Sequence, residues 1–411
     1  MQPARPLNLM RTRRGAERVT NVELFFDLVY VFAVTQLSHY VLAHQTVTGA
    51  LRAGLLLAMV WLLWVYTTWV TNWLDPQRIA VRVLLLALAG ASLVLSAALP
   101  GAFAARGLAV GIAYAVMQIG RSGFTLIALK GRPLQRNFQR IFVWCLVSGA
   151  LAILGGIATR PAERAVAWVA AVAVDLLGGI VGFYTPGLGR STTRDWTIEG
   201  GHFAERCQAF MLIALGESIV VIGATLSGLA RITISEITAF AVALLSSAGM
   251  WWLYFDRSAD EGARIIARSD DPGRLGRSAY HFIHPVMVAG IIVSAAADEV
   301  TLADPGAVGH APASWMILGG VGLFLAGHAA FKAIIWRQVP WTRLAAVVIL
   351  ALLGLAAPHL SALALGTCAA AVVVAVAVTD YTGHRGGETG LGQEDGLGGD
   401  EDGTAGAAGL G

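Results

Sequence analysis

The sequence carries few charged side chains, and this scarcity excludes most classes of soluble protein. Only 13% of its 411 residues are Asp, Glu, Lys or Arg, against about 25% in a typical soluble domain. Hydrophobic residues make up 56% of the chain, and the mean hydropathy is +0.66. The composition therefore predicts an all-α, polytopic integral membrane protein whose main partner is the lipid bilayer.

Cysteine and basic clusters are scarce as well. The three cysteines, Cys145, Cys207 and Cys368, lie singly within apolar stretches, which excludes a disulfide framework and a Cys-x-x-Cys metal site. Lysine and arginine form no runs interleaved with aromatic residues, so no nucleic-acid partner is expected. No cleavable signal peptide is visible before the first apolar segment.

Catalytic motifs are missing too. The chain has no Gly-x-Ser-x-Gly, no His-Glu-x-x-His and no Gly-x-x-x-x-Gly-Lys-[ST], and these are the sequence signatures of common hydrolases, metalloproteases and nucleotide-binding proteins. We expect no catalytic residue, no cofactor and no metal. The alternative is a metal held by His281 and His284 together with Glu205 or His202, which would favour an intramembrane enzyme.

What the chain does contain is a series of long apolar segments. A helix that crosses the hydrocarbon core needs about 20 mostly apolar residues. Twelve segments meet this requirement, near 22–42, 53–73, 79–99, 107–129, 138–157, 164–184, 203–228, 234–255, 278–297, 313–335, 341–357 and 359–379. For the last two, a re-entrant hairpin is the alternative, because the first of them is short.

The distribution of basic residues predicts the orientation. If the N-terminus is cytoplasmic, the external side of the twelve-helix scheme holds only Arg52, Arg106, Arg160, Arg164 and Arg231. The other basic residues lie on the cytoplasmic side or at its edge, which is the expected orientation signal. Both termini are therefore predicted to be cytoplasmic.

The second half of the chain resembles the first. Asp27 is followed eight residues later by Thr35, and Glu217 is followed eight residues later by Thr225, with a shared pattern of small and β-branched residues between them. Further short matches follow in the same order. We therefore predict a duplication into two six-helix repeats of parallel orientation, over 22–190 and 191–382.

The remaining segments are the two ends. Residues 1–21 form a basic N-terminal segment that we place in the cytoplasm. Residues 383–411 are rich in glycine and acidic residues and have almost no large apolar side chains, a composition typical of disorder. The sequence is compatible with a homo-oligomer.

Ionisable and polar residues inside the predicted helices are the candidate functional residues, because such groups are costly in a bilayer and usually face protein or water. Asp27 and Glu217, with Thr35 and Thr225, are candidates for binding or relaying an ion between helices 1 and 7. The candidates for a buried polar network are Glu23, Arg121, Asp175, His202, Glu205, His281, His284 and Lys332.

Several motifs carry a family resemblance. They are Glu23-Leu-Phe-Phe-Asp-Leu-Val-Tyr-Val-Phe-Ala-Val-Thr-Gln-Leu-Ser-His39, His202-Phe-Ala-Glu-Arg206, Ala214-Leu-Gly-Glu-Ser-Ile219, Trp251-Trp-Leu-Tyr-Phe-Asp256 and Tyr280-His-Phe-Ile-His284. With these, the chain resembles the bacterial low-temperature-requirement A family over nearly all of its length except the two ends. The resemblance implies a multipass protein of the bacterial inner membrane that is linked to growth in the cold.

The start of helix 1 also resembles a second family. Phe26-Asp27-x-Val-Tyr-x-x-Ala-Val-Thr35 is similar to the first helix of the endolysosomal potassium channels and their bacterial relatives. In that family the first helix of each repeat lines the pore, which makes Phe32 and Ile222 candidates for a hydrophobic constriction. The chain departs from that pattern at Phe26, where the family has serine, at Asn21, where it has arginine, and at Gly216-Glu217, where the second repeat has Ser-Asp.

These observations favour a cation or proton channel or transporter with a path between helices 1 and 7. The first alternative is a membrane protein that transports nothing and has a structural or regulatory role at low temperature. The second is the intramembrane enzyme with the His/Glu cluster.

Overall fold

The computed structural model describes residues 9–11, 19–196 and 198–394, and this part of the chain contains twelve helices long and apolar enough to cross a membrane. Outside the helices, the described residues pair only through isolated β-bridges. The prediction of an all-α polytopic protein with twelve spanning helices is therefore confirmed.

The helices follow one another with short connections. Helices 1 to 6 are Asn21–Ala43, Val47–Trp73, Ile79–Ala98, Gly107–Ala128, Gln135–Ile157 and Pro161–Val181. Helices 7 and 8 are Gly200–Gly228 and Ile234–Phe255, and the short helix Ser258–Ala267 extends the second of them. Helix 9 spans Pro272–Ala303 and includes a π-helical segment, Gly276–His281. Helices 10 to 12 are Ala311–Trp336, Trp341–Ala356 and Ala362–Glu394.

Local sequence signals set several of the helix ends. The carboxylate of Glu23 accepts a hydrogen bond of 3.0 Å from the backbone N–H of Thr20, which satisfies a donor that the first turn of helix 1 leaves free. Helix 6 begins at Pro161 and ends before Gly182, whose φ of +67° is left-handed. Glycine adopts this conformation without strain, and a Cβ at Gly182 would lie 2.1 Å from the carbonyl oxygen of Ser191.

Helix 2 lies at the centre of the molecule. Its most apolar window is 78% buried, the largest share among the twelve spans, whereas the window of helix 11 is only 22% buried. Helix 2 also carries four tryptophans, of which Trp61 and Trp64 are among the largest fully buried side chains. Side chains of helix 2 can therefore contact polar groups on several neighbouring helices.

The neighbours of the helices repeat between the two halves. In the first half, helix 1 contacts helices 2 and 3, helices 3, 4, 5 and 6 contact in sequence, and helix 6 returns to helix 2. The corresponding contacts link helices 7 to 12 in the second half. A duplication predicts this recurrence, but recurrence of contacts alone does not establish parallel repeats, so the two-repeat organisation stays a prediction.

Across the halves, helices 1 and 2 contact helices 7 and 9. Helices 1 and 7, which the sequence pairs through their acids, therefore lie side by side. The ends of the chain are only partly described. Of the predicted N-terminal segment, residues 1–8 and 12–18 lie outside the described residues. Of the predicted disordered tail, 383–394 continue the backbone of helix 12, and 395–411 lie outside the described residues.

Candidate functional site

A buried cluster of charged side chains joins helix 1 to helix 7. We call it the Arg206 cluster, and its members are Glu23, Asp27, His202 and Arg206. The guanidinium of Arg206 donates hydrogen bonds to both oxygens of Asp27, with Nε 3.0 Å from Oδ2 and Nη2 2.5 Å from Oδ1. Its Nη1 donates to Oε1 of Glu23 at 3.0 Å. The side chains of Arg206 and Glu23 have no exposed surface, and that of Asp27 is 2% exposed.

The remaining lone pairs of the two acids are also used. Trp64 of helix 2 donates its indole N–H to Oδ1 of Asp27 at 2.7 Å, and the guanidinium carbon of Arg206 lies 5.8 Å from the centre of the same tryptophan ring. Glu23 contacts Nε2 of His202 at 3.2 Å and pairs with Arg11 at 3.3 Å. A buried ion pair is stable only when such additional hydrogen bonds satisfy it, and here they do.

Both carboxylates of this cluster are paired with arginine. The two carboxylates of Glu23 and Asp27 face the two guanidiniums of Arg206 and Arg11. Since bidentate arginine–carboxylate pairs are strong and directional, the cluster fixes the relative position of helices 1 and 7. Asp27, the leading candidate from the sequence, thus has no carboxylate oxygen without a protein partner.

The second acid, Glu217, has different surroundings. It is 2% exposed, and its Oε2 lies 2.6 Å from the hydroxyl of Thr35 on helix 1. Its other oxygen, Oε1, is buried and has no hydrogen-bond partner among the described residues. The Thr35 hydroxyl also lies 3.1 Å from the carbonyl oxygen of Val31, so its single hydrogen is shared between two acceptors. Of the four acid and threonine candidates for an ion path, Thr35 and Glu217 are therefore in direct contact.

The other residues of the predicted path lie in separate places. Thr225 donates its hydroxyl hydrogen to the carbonyl of Val221, within its own helix, at 2.8 Å. Ile222 packs in a small apolar cluster with residues of helices 8 and 9. Phe32 is 36% exposed on the outside of helix 1. Phe32 and Ile222 therefore belong to different surroundings, and a shared constriction stays a prediction.

A second polar group lies within the first six helices. Asp175 of helix 6 accepts hydrogen bonds from the hydroxyl of Tyr114 and, at 2.6 Å, from the side-chain amide of Gln118. The carbonyl of the same amide accepts from Arg121, whose guanidinium also lies 5.3 Å from the centre of the Tyr66 ring. Gln118 thus connects Asp175 with Arg121, two candidates that the sequence placed in one network.

The remaining candidates do not join that network. Glu205 is exposed and accepts at 3.3 Å from the backbone N–H of Val19. His281 contributes its backbone carbonyl to the indole of Trp61 at 2.8 Å, and His284 lies 2.7 Å from the hydroxyl of Tyr254. Lys332 is 4.0 Å from Asp380. Across the described part of the chain, no group of three or more His, Cys, Asp or Glu residues is placed to hold a metal ion.

Sequence reasoning missed Arg206 and Trp64 as members of the site. A signal for Arg206 was present, because Glu23 and Asp27 are four residues apart on helix 1, and His202 and Arg206 are four apart on helix 7. Residues four apart share one helix face. The equal spacing therefore allows His202 to lie opposite Glu23 and Arg206 to lie opposite Asp27. Trp64 gave no comparable signal among the many tryptophans of helix 2.

Comparisons with known proteins agree with the motifs. The family model described as bacterial low temperature requirement A protein (LtrA) matches residues 18–378. The chain is also similar to the uncharacterized protein RA0937 of Rhizobium meliloti (strain 1021), with 34% identity over 362 residues, which cover 87% of this chain and 88% of that protein. No solved structure matches the chain. The match includes every residue of the Arg206 cluster and both partners of the Thr35–Glu217 contact, and the chain belongs to the bacterial low temperature requirement A family.

Proposed function

We propose that this protein moves a proton or a small cation across the bacterial inner membrane, along the contact between helices 1 and 7. The observation that carries the proposal is the buried carboxylate of Glu217, of which one oxygen has no hydrogen-bond partner among the described residues. An ionisable group inside a spanning helix costs about 2.5–3.5 kcal/mol on insertion scales and usually marks an ion or proton pathway. Both termini are placed in the cytoplasm by this proposal.

The chemistry of the contact suits a small cation. The carboxylate of Glu217 and the hydroxyl of Thr35 lie 2.6 Å apart, and carboxylate and hydroxyl oxygens are the ligands that hard cations prefer. The same carboxylate is a suitable group for proton uptake and release, because acidic side chains within membrane helices form proton relays in pumps and transporters. Thr35 would hold the carboxylate in place in either case.

The Arg206 cluster has a different role in this proposal. It holds helices 1 and 7 together at one end of their contact, because Arg206 on helix 7 bonds to Asp27 and Glu23 on helix 1. Both of its carboxylates are already paired with arginine, so neither is available to a free cation. The cluster is therefore an anchor, and the Thr35–Glu217 contact is the place of ion exchange.

Flux through the purified protein in liposomes tests the proposal. A trapped pH-sensitive dye reports protons, and trapped Na⁺- or K⁺-sensitive dyes report cations, with an imposed gradient and a membrane potential. We expect flux above that of protein-free liposomes and expect Glu217→Gln to bring it to that background. The matched control is Glu163→Gln, because Glu163 is 53% exposed at the start of helix 6, and it should transport as the unmodified protein does.

Two outcomes would overturn the proposal. One is the absence of flux for H⁺, Na⁺ and K⁺ in the unmodified protein. The other is equal flux in Glu217→Gln and in the unmodified protein, which would place any path elsewhere.

The second candidate function is a structural or regulatory membrane protein that transports nothing. The direct packing of helices 1 and 7, closed by the ion pairs of the Arg206 cluster, favours it. A strain lacking the protein would then grow poorly in the cold, and Glu217→Gln would restore growth as fully as the unmodified gene. Failure of Glu217→Gln to restore growth while Glu163→Gln does so would count against this candidate.

A further inference from the structure

A small polar cavity lies among helices 8, 9, 10 and 12, away from the Thr35–Glu217 contact. Its volume is about 20 Å³, which holds one water molecule or one small ion. The polar residues in its lining are Ser246 of helix 8 and Ser294, Asp298 and Thr301 of helix 9, and the rest of the lining is glycine, alanine, valine and isoleucine. By the predicted orientation, this cavity lies towards the external side.

Two buried oxygen atoms of this lining have no protein partner. They are Oδ2 of Asp298 and Oγ of Ser294, and neither has a hydrogen bond to any of the described residues. Ser294 is 4% exposed. Leaving a buried polar group unpaired costs about 1–3 kcal/mol, so two such atoms in the lining of one cavity favour the binding of a polar ligand or an ion there.

The backbone makes room for one of these oxygens. A Cβ at Gly320 of helix 10 would lie 2.6 Å from Oγ of Ser294, so only glycine at position 320 leaves the serine hydroxyl where it is. Thr301, which lies one turn beyond Asp298, donates its hydroxyl hydrogen to the carbonyl of Ala297 at 2.8 Å and keeps its oxygen lone pairs available. The lining therefore offers oxygen acceptors around a single carboxylate.

We propose that Asp298, with the hydroxyls of Ser294, Ser246 and Thr301, binds one Na⁺ ion. Oxygen ligands of this kind suit a hard cation. The single carboxylate neutralises one positive charge, whereas a divalent ion would leave a net charge in a low-dielectric environment, which is costly. The cavity has no room for an ion that keeps its hydration shell.

This site is distinct from the path between helices 1 and 7. Its ligands lie on helices 8 and 9, and none of them contacts Thr35 or Glu217 by a hydrogen bond. Binding at Asp298 requires no flux through the protein, so the two proposals succeed or fail separately.

Thermal unfolding of the purified protein in detergent tests the Na⁺ site. NaCl replaces choline chloride at constant total salt, so that ionic strength does not change. We expect the midpoint of unfolding to rise by about 2 °C or more and to saturate, and we expect the rise to be smaller with KCl. Asp298→Asn should abolish the Na⁺-dependent rise. Ser294→Ala should raise the half-saturating Na⁺ concentration by about fivefold, because one of the four oxygen ligands is lost.

The matched control is Asp304→Asn, because Asp304 is an exposed acid just beyond the end of helix 9. It should respond to Na⁺ as the unmodified protein does. The proposal is overturned if the unmodified protein shows no Na⁺-specific rise, or if the rise persists in Asp298→Asn. If Asp298→Asn does not fold, Ser294→Ala decides: an unchanged half-saturating concentration overturns the site, and a higher one supports it.

Discussion

Helix 1 meets helix 7 through two acids that differ in their partners. Asp27 has both oxygens bonded, to Arg206 and to Trp64. Glu217 has one oxygen bonded to Thr35, and its other oxygen has no partner in the part of the chain that the structure describes. The difference separates two uses of a buried acid. A carboxylate whose hydrogen bonds are complete joins two helices, and one whose bonding is incomplete has capacity for a ligand or a proton.

The largest expected effect comes from removing the centre of the Arg206 cluster. Arg206→Met leaves Glu23 and Asp27 buried without their shared guanidinium, which costs about 3–5 kcal/mol when a buried pair is broken from one side. The measurement is the midpoint of thermal unfolding in detergent. Arg231→Met is the matched control, since Arg231 is exposed, and equal midpoints for the two variants would contradict the anchoring role.

A smaller loss of stability is expected when Asp27, the acid of the Asp27–Arg206 pair, is replaced. Asp27→Asn keeps an oxygen that accepts from Trp64 and loses the charge opposite Arg206, so we expect a destabilisation of about 1–3 kcal/mol. In a double-mutant cycle with Arg206→Met, residues in one network give interaction energies of about 0.5–3 kcal/mol. Additive effects of the two substitutions would show that the contact does not join the helices.

The smallest effect on stability is expected at the second acid. Glu217→Gln keeps an oxygen for the hydroxyl of Thr35, and the carboxylate it replaces already has one unpaired oxygen. We therefore expect a change of about 1 kcal/mol or less. A loss as large as that of Arg206→Met would remove the distinction between the two acids and make Glu217 a structural residue as well.

The fold was largely predictable from the sequence. Spanning helices require long apolar segments, because the bilayer leaves no other way to satisfy the backbone, and the twelve predicted segments correspond to the twelve observed spans. The helix ends were predicted less well than the helices themselves: helix 2, for example, begins at Val47 rather than near residue 53. Thr46 caps that end by accepting from the N–H of Gly49 at 3.0 Å, and hydropathy does not register a cap.

The site was predictable only in part. Hydropathy identifies an acid in an apolar helix, so Asp27, Glu217 and Asp175 were found. It does not show which base lies opposite, because that depends on the rotation of each helix about its axis. Asp298 was not selected either. It stands close to the end of helix 9, where an acid is ordinarily hydrated, and only the packing of helices 8, 10 and 12 makes it part of a cavity lining.

The most direct test of the account is proton and cation flux in liposomes that contain Glu217→Gln, after thermal unfolding has shown that this variant is as stable as the unmodified protein. The account predicts flux at the level of protein-free liposomes for Glu217→Gln and full flux for Glu163→Gln. Full flux in the stable Glu217→Gln protein would contradict it.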